Sequence, residues 1–172
     1  MTTPTWALTL AYWFHMLATV VWIGGLATLA LLILPVAQRK LDQAAFASQM
    51  EGIQSRLDLL GWFCLATLIG TGLVQMSGNP NYEGFFEFGN LWSVAILLKH
   101  IVFVGMVAVS AYITWGAIPR MRRIVVYGAK LQGGAMAEDL PRVLASNRRW
   151  VYLNLGMAIV VLACTAFARA LS

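Results

Sequence analysis

Four stretches of this chain are apolar for longer than a soluble fold requires. They cover roughly residues 6–34, 59–76, 91–118 and 150–171, each about 18 residues or more, enough to cross a hydrocarbon core of about 30 Å as a helix. The expected fold class is all-α: an integral membrane four-helix up-down bundle, with residues 1–172 forming a single transmembrane domain. The first stretch has no basic residues before it and exceeds the roughly 7–15-residue core of a signal peptide, so it is expected to span rather than to be cleaved. Composition agrees, with 60% hydrophobic and 11% charged residues against about 25% charged in soluble domains.

The charges sit where a membrane protein needs them. Arg39, Lys40 and Arg56 fall in the connection 38–58, and seven further cations fall in the connection 119–149. The connection "SGNPNYEGFFEFGN" (Ser77–Asn90) has none, and nothing basic precedes Trp6. The positive-inside rule places both basic connections in the cytoplasm and both termini outside, in a multi-pass protein of the bacterial cytoplasmic membrane. Trp6 and Trp92 mark the outer boundary, and Trp62, Trp115 and Trp150 the inner one. The net charge of +5 is a topology signal, and "PRMRR" beside a membrane is an anchor to anionic lipid rather than a nucleic-acid surface. The first basic connection, "RKLDQAAFASQMEGIQSRLD", has helical spacing and either extends the second helix or lies along the surface.

Several chemistries have no motif here. The chain has no Gly-rich phosphate loop, no GxSxG and no paired-cysteine zinc spacing. Its two cysteines, Cys64 and Cys164, fall in different spans, which argues against a disulfide framework.

What remains is a pair of histidines inside lipid-grade sequence: His15 in "FHMLATVVWIGG" and His100 in "LWSVAILLKHIVFVGMVAV". His15 lies nine residues after Trp6 and His100 eight after Trp92, depths of about 13 and 12 Å at 1.5 Å per residue. In an up-down bundle the first and third helices are diagonal partners, so two imidazoles at one depth can point at one object between them. That geometry suits a haem iron with two axial imidazoles, or a metal ion completed by other helices. A lone intramembrane histidine can instead bond a neighbouring helix, at about 0.6 kcal/mol on average; ionisable groups within spans nonetheless face the bundle interior and mark function by default. Lys99, about 100° around the helix from His100, is placed to meet a porphyrin propionate, a carboxylate substrate, or a Ser or Thr on a neighbouring helix. Gly70 and Gly72 in "GTG" suit a flat macrocycle or close helix packing. Cys164, with Met16 or Met106, would favour soft copper(I).

These residues resemble a known family. "FHMLATVVWIGGLATLALLILP" followed by a basic loop looks like the first helix of the copper-resistance D (CopD) membrane domain. "LWSVAILLKHIVFVGMVAVSAYITWGAIPRM" looks like its lysine-bearing third helix. The pattern is also similar to the HemJ-type protoporphyrinogen oxidases, with His15 and Lys99 matching their first-helix histidine and third-helix lysine. The chain departs from that type at "LATLALLILPVAQRK", which lacks the Tyr-Leu-Pro-Arg run, and this disfavours porphyrinogen oxidation. The CopD resemblance implies copper handling at the outer side of the cytoplasmic membrane.

Three readings follow. The first is a b-type haem protein, with haem b held between His15 and His100 and electrons passed within the membrane to a redox complex or a periplasmic redox protein. The second is a copper-binding or copper-transporting protein that uses His15, His100 and Cys164 and exchanges with a periplasmic copper protein. The third is a cofactor-free subunit of a larger membrane complex. Haem leads because two neutral imidazoles satisfy haem completely but leave copper short of ligands unless Cys164 or a methionine joins. In each reading the constant partner is membrane lipid, and nucleic acid is none.

Overall fold

The computed structural model describes residues 4–80, 82, 84, 89–130 and 135–171, with the side chains of residues 125, 127–130 and 135–139 left aside. The described chain is all-α, with four helices long and apolar enough to cross a membrane. The first span is α1 (Thr5–Ala27), a π-helical stretch Thr28–Ile33, and α2 (Leu34–Lys40). The second is α3 (Gln43–Ser77). The third is α4 (Leu91–Tyr112), a π-helical stretch Ile113–Ala117, and α5 (Ile118–Lys130). The fourth is α6 (Ala135–Ala170).

The helices run well past the apolar stretches. Most of the expected connection 38–58 is helix, which decides between the two alternatives for that segment: it extends the second span. The chain breaks for two residues only. Leu41 is extended, and Asp42 caps α3 by accepting from the Ala45 N–H at 2.8 Å, with its negative charge on the positive helix end. Much of the expected connection 119–149 is likewise helical, in α5 and the start of α6, with residues 131–134 outside the described ones. Asn90 caps α4 through a 2.7 Å bond from the Ser93 N–H to its side-chain oxygen.

Both π stretches have a local cause. Each is followed within two residues by a helical proline, Pro35 in "LILPV" and Pro119 in "GAIPR". Proline brings no N–H, and its ring collides with the carbonyl four residues back. Lengthening the turn relieves that collision and leaves carbonyls without a helical donor. Ala30, inside the first π stretch, has its carbonyl met by the Tyr152 hydroxyl at 3.1 Å.

The chain divides into two compact units, and every span contributes to both. Unit 1 comprises residues 1–24, 61–106 and 156–172; unit 2 comprises residues 25–60 and 107–155. Unit 1 buries small residues, Ala11, Ala18, Ala95 and Ala168 among them, which lets backbones approach as membrane packing requires. Unit 2 holds a larger apolar core around Leu29, Leu34, Phe46, Met50, Met121, Leu144 and Val151. Large apolar side chains point outward in both, for example Leu59 at 78% exposure, Phe63 at 72% and Trp115 at 70%. That inversion fits a surface solvated by lipid tails.

Candidate functional site

All six residues singled out for a site fall in unit 1. Its frame is the antiparallel pairing of α1 with α3. Gln75 Nε2 donates to the Ala11 carbonyl at 3.2 Å, and His15 meets Thr71. Ala18 packs with Cys64 and Leu68, and Trp22 covers Gly61. The α1 contacts recur at steps of four, three and four residues, one stripe of a helix. His15 occupies the second position of that stripe.

The hydrogen-bond partners of His15 assign its tautomer. Its Nδ1 lies 2.9 Å from Thr71 Oγ1. The shorter contact of the Thr71 hydroxyl is to the Thr67 carbonyl at 2.6 Å, and we assign its single hydrogen there, so that Thr71 accepts from the ring. His15 therefore donates from Nδ1, and the neutral ring keeps its lone pair on Nε2. The same logic holds for His100. Its Nδ1 lies 2.7 Å from the Ile96 carbonyl, which can only accept, so the lone pair again resides on Nε2. Ligating histidines have their other ring N–H held by an oxygen in this way.

Sequence distance from the two tryptophans puts the histidines at one depth; side-chain contacts give their register along the helices. Trp92 is buried against Ala95 and Ala168, whereas Trp6 is exposed. A better gauge is the edge contact of Trp22 with Phe103, centroids 6.0 Å apart. His15 lies seven residues before Trp22 and His100 three before Phe103, a stagger of four residues or about 6 Å. His100 offsets part of it by folding its ring back over the turn that begins at Ile96.

Lys99 is half-buried and lies within electrostatic range of the His15 ring and of the half-buried Cys164 thiol. Among the described residues no carboxylate pairs with it. The two glycines part company: a Cβ on Gly72 would lie 3.6 Å from His15 Cε1, whereas Gly70 is exposed and a Cβ there would touch nothing within 4 Å. Met16 is 67% exposed and Met106 is fully buried. Among the described residues no three His, Cys, Asp or Glu side chains gather as a metal site, so His15, His100 and Cys164 do not form one three-donor set. Thr71, the partner of His15, was missed by sequence reasoning. Its signal was the polar residue between two glycines that drew attention for their size.

Comparison with known proteins gives one positive finding. A family model described as Copper resistance protein D matches residues 51–168, a stretch that holds Thr71, Lys99, His100 and Cys164 and begins after the helix of His15. It supports the first of the two family resemblances only. No curated protein and no solved structure matches the chain.

Proposed function

The chain belongs to the copper resistance protein D family, and on that premise we propose that it is a membrane copper-handling protein in which the Nε2 atoms of His15 and His100 are the ligand nitrogens. The observation that carries this reading is the bond behind His15: its Nδ1 is held by the Thr71 hydroxyl oxygen, the arrangement in which a ligating imidazole offers Nε2. Copper(I) is content with low coordination and accepts imidazole as well as sulfur, so two nitrogens suffice without Cys164, the third donor of the copper alternative. Copper is then cargo, taken up from or released to a periplasmic protein on the side where the orientation reading puts Trp6.

A second reading rests on Lys99. A cation without a carboxylate partner among the described residues fits a haem propionate, and the same two Nε2 atoms fit axial ligation of haem b with electron transfer in the membrane. One experiment separates the two. Purified protein in detergent is titrated with copper(I) against a chromophoric chelator, and its visible spectrum is recorded oxidised and reduced. Copper bound by wild type and weakened by either His15→Ala or His100→Ala supports the first reading. A low-spin haem spectrum that both substitutions abolish supports the second. Neither signal, with both variants folding normally, favours a cofactor-free subunit.

A further inference from the structure

The turn that joins α2 to α3 borders a cavity in unit 2. α2 ends at Lys40, Leu41 is extended, and Asp42 caps α3. At this turn a space of about 190 Å³ lies between the end of α2, the start of α3 and the early turns of α6. Its floor is apolar, with Phe46 and Leu144 buried and Leu41 lining it as well. Its rim is polar, made by the exposed side chains of Gln38, Gln43 and Arg148. Ala145 also lines it, and its methyl group is too small to close it.

Arg148 supplies the charge of this lining. It donates from Nη1 to Gln38 Oε1 at 3.3 Å, a long bond to a neutral amide. A guanidinium has five N–H donors in a fixed fork, which matches two oxygens of one anion. Among the described residues no carboxylate pairs with it, and none lines the cavity. Gln38 accepts through Oε1, which leaves its Nε2 to donate at the same rim. The charges next in the chain have the same sign: Arg39 and Lys40 close α2, and Arg149 follows Arg148. Asp42 is engaged as the cap of α3.

The rim stands beside lipid-facing surface. Gln38 comes two residues after Val36, and Arg148 four before Tyr152. Val36 and Tyr152 are both exposed, as are Leu31 and Leu32. Along the helices this apolar surface reaches within about 3–6 Å of the rim. Headgroups occupy a layer of about that depth, roughly 5–7 Å on each side of the hydrocarbon. Volume decides how much of a lipid can enter. The cavity is smaller than the roughly 300 Å³ at which pockets enclose a whole small molecule. It has room for a headgroup whose acyl chains stay in the bilayer.

We propose that this cavity binds the headgroup of an anionic phospholipid. The phosphate diester is held by the Arg148 fork and the amides of Gln38 and Gln43, and the glycerol carbons rest on Leu41, Phe46 and Leu144. Charge selects the lipid: a choline or ammonium headgroup would bring its cation beside Arg148 with no carboxylate there to meet it. Copper finds no imidazole, thiolate or carboxylate in this lining, so the site is separate from the one built on His15.

The test is native mass spectrometry of the full chain released from detergent, with phosphatidylglycerol, phosphatidylcholine or inorganic phosphate added. The expected result is one retained phosphatidylglycerol and little phosphatidylcholine. Arg148→Ala should lower retention by about tenfold, the order that one charge-assisted hydrogen bond carries. Ala145→Phe fills the cavity, keeps every charge and should lower it comparably, while Arg56→Ala, an exposed cation on α3 outside the lining, should leave it unchanged. Circular dichroism melts confirm that each variant is folded. Equal retention of the two lipids would overturn the proposal, as would equal losses from Arg56→Ala and Arg148→Ala, which would mean general attraction to the basic face. Full retention by folded Ala145→Phe would place the lipid elsewhere. An Arg148-dependent phosphate adduct without a phosphatidylglycerol adduct would assign the cavity to a soluble anion and likewise overturn it.

Discussion

His15 Nδ1 and Thr71 Oγ1 lie 2.9 Å apart, and we assign the proton between them to the histidine because the shorter contact of Thr71 is to Thr67. A threonine on α3 therefore decides which face of an imidazole on α1 can meet a ligand. Thr71→Val keeps the shape and removes the acceptor. Copper(I) affinity is expected to fall about 10- to 100-fold, the usual cost of losing an oxygen behind a ligating histidine, while Thr71→Ser retains it. Chelator competition on the two variants checks this, and equal affinities would detach Thr71 from the site.

Lys99 discriminates between the proposed cargoes by the sign of its effect. A cation in electrostatic range of His15 opposes a bound copper ion and favours a bound propionate. Lys99→Met should tighten copper(I) binding by at least several-fold in the copper reading, and should loosen or shift the potential of haem in the other.

The glycines of "GTG" should respond unequally. Gly70→Leu meets open surface and should leave stability and copper affinity within about 0.5 kcal/mol of wild type. Gly72→Leu must place its branch against His15 Cε1, beyond a Cβ already at 3.6 Å, so the ring moves off Thr71 and copper binding falls. Comparable losses from both substitutions would mean that the glycines serve general helix packing.

Tyr152 closes the first π stretch by bonding the Ala30 carbonyl. Tyr152→Phe removes only that hydroxyl, and by the average for interhelical bonds in membranes the loss should be about 0.6 kcal/mol. Reversible unfolding in mixed micelles would measure it. A loss of several kcal/mol would show that the π stretch collapses without its partner.

The proposed orientation rests on the loop cations alone, since Lys99 and Arg169 are the two Lys or Arg residues outside the basic connections. Reporter fusions near Lys40 and Lys130 should read cytoplasmic, and one near Asn79 should read external. A cytoplasmic reading at Asn79 reverses the protein and places His15 toward the inner side.

Much of this was legible in the residues. Apolar length announced four spans, because nothing else accounts for such runs in a chain with 11% charge. Helix ends were not legible, since "RKLDQAAFASQMEGIQSRLD" is helical by spacing but too polar to count as span. His15 stood out by its type, whereas its partner Thr71 did not, because threonine in a helix is ordinarily content with its own backbone. The register of the two histidines was not legible, because it depends on side-chain contacts such as that of Trp22 with Phe103.

The two π stretches, Thr28–Ile33 and Ile113–Ala117, have a consequence for how this chain is compared with others. A turn closed by an i→i+5 bond holds one residue more than an α turn of equal height. Each therefore works as an insertion hidden within an unbroken helix. A homologue that lacks the proline and its wide turn would align with this chain only across a one-residue gap inside the span. An alignment that forbids gaps within spans would shift every later position by about 100° of helical phase. In the third span that error would fall on Pro119 and all that follows, while Lys99 and His100, which precede the turn, would still be matched correctly.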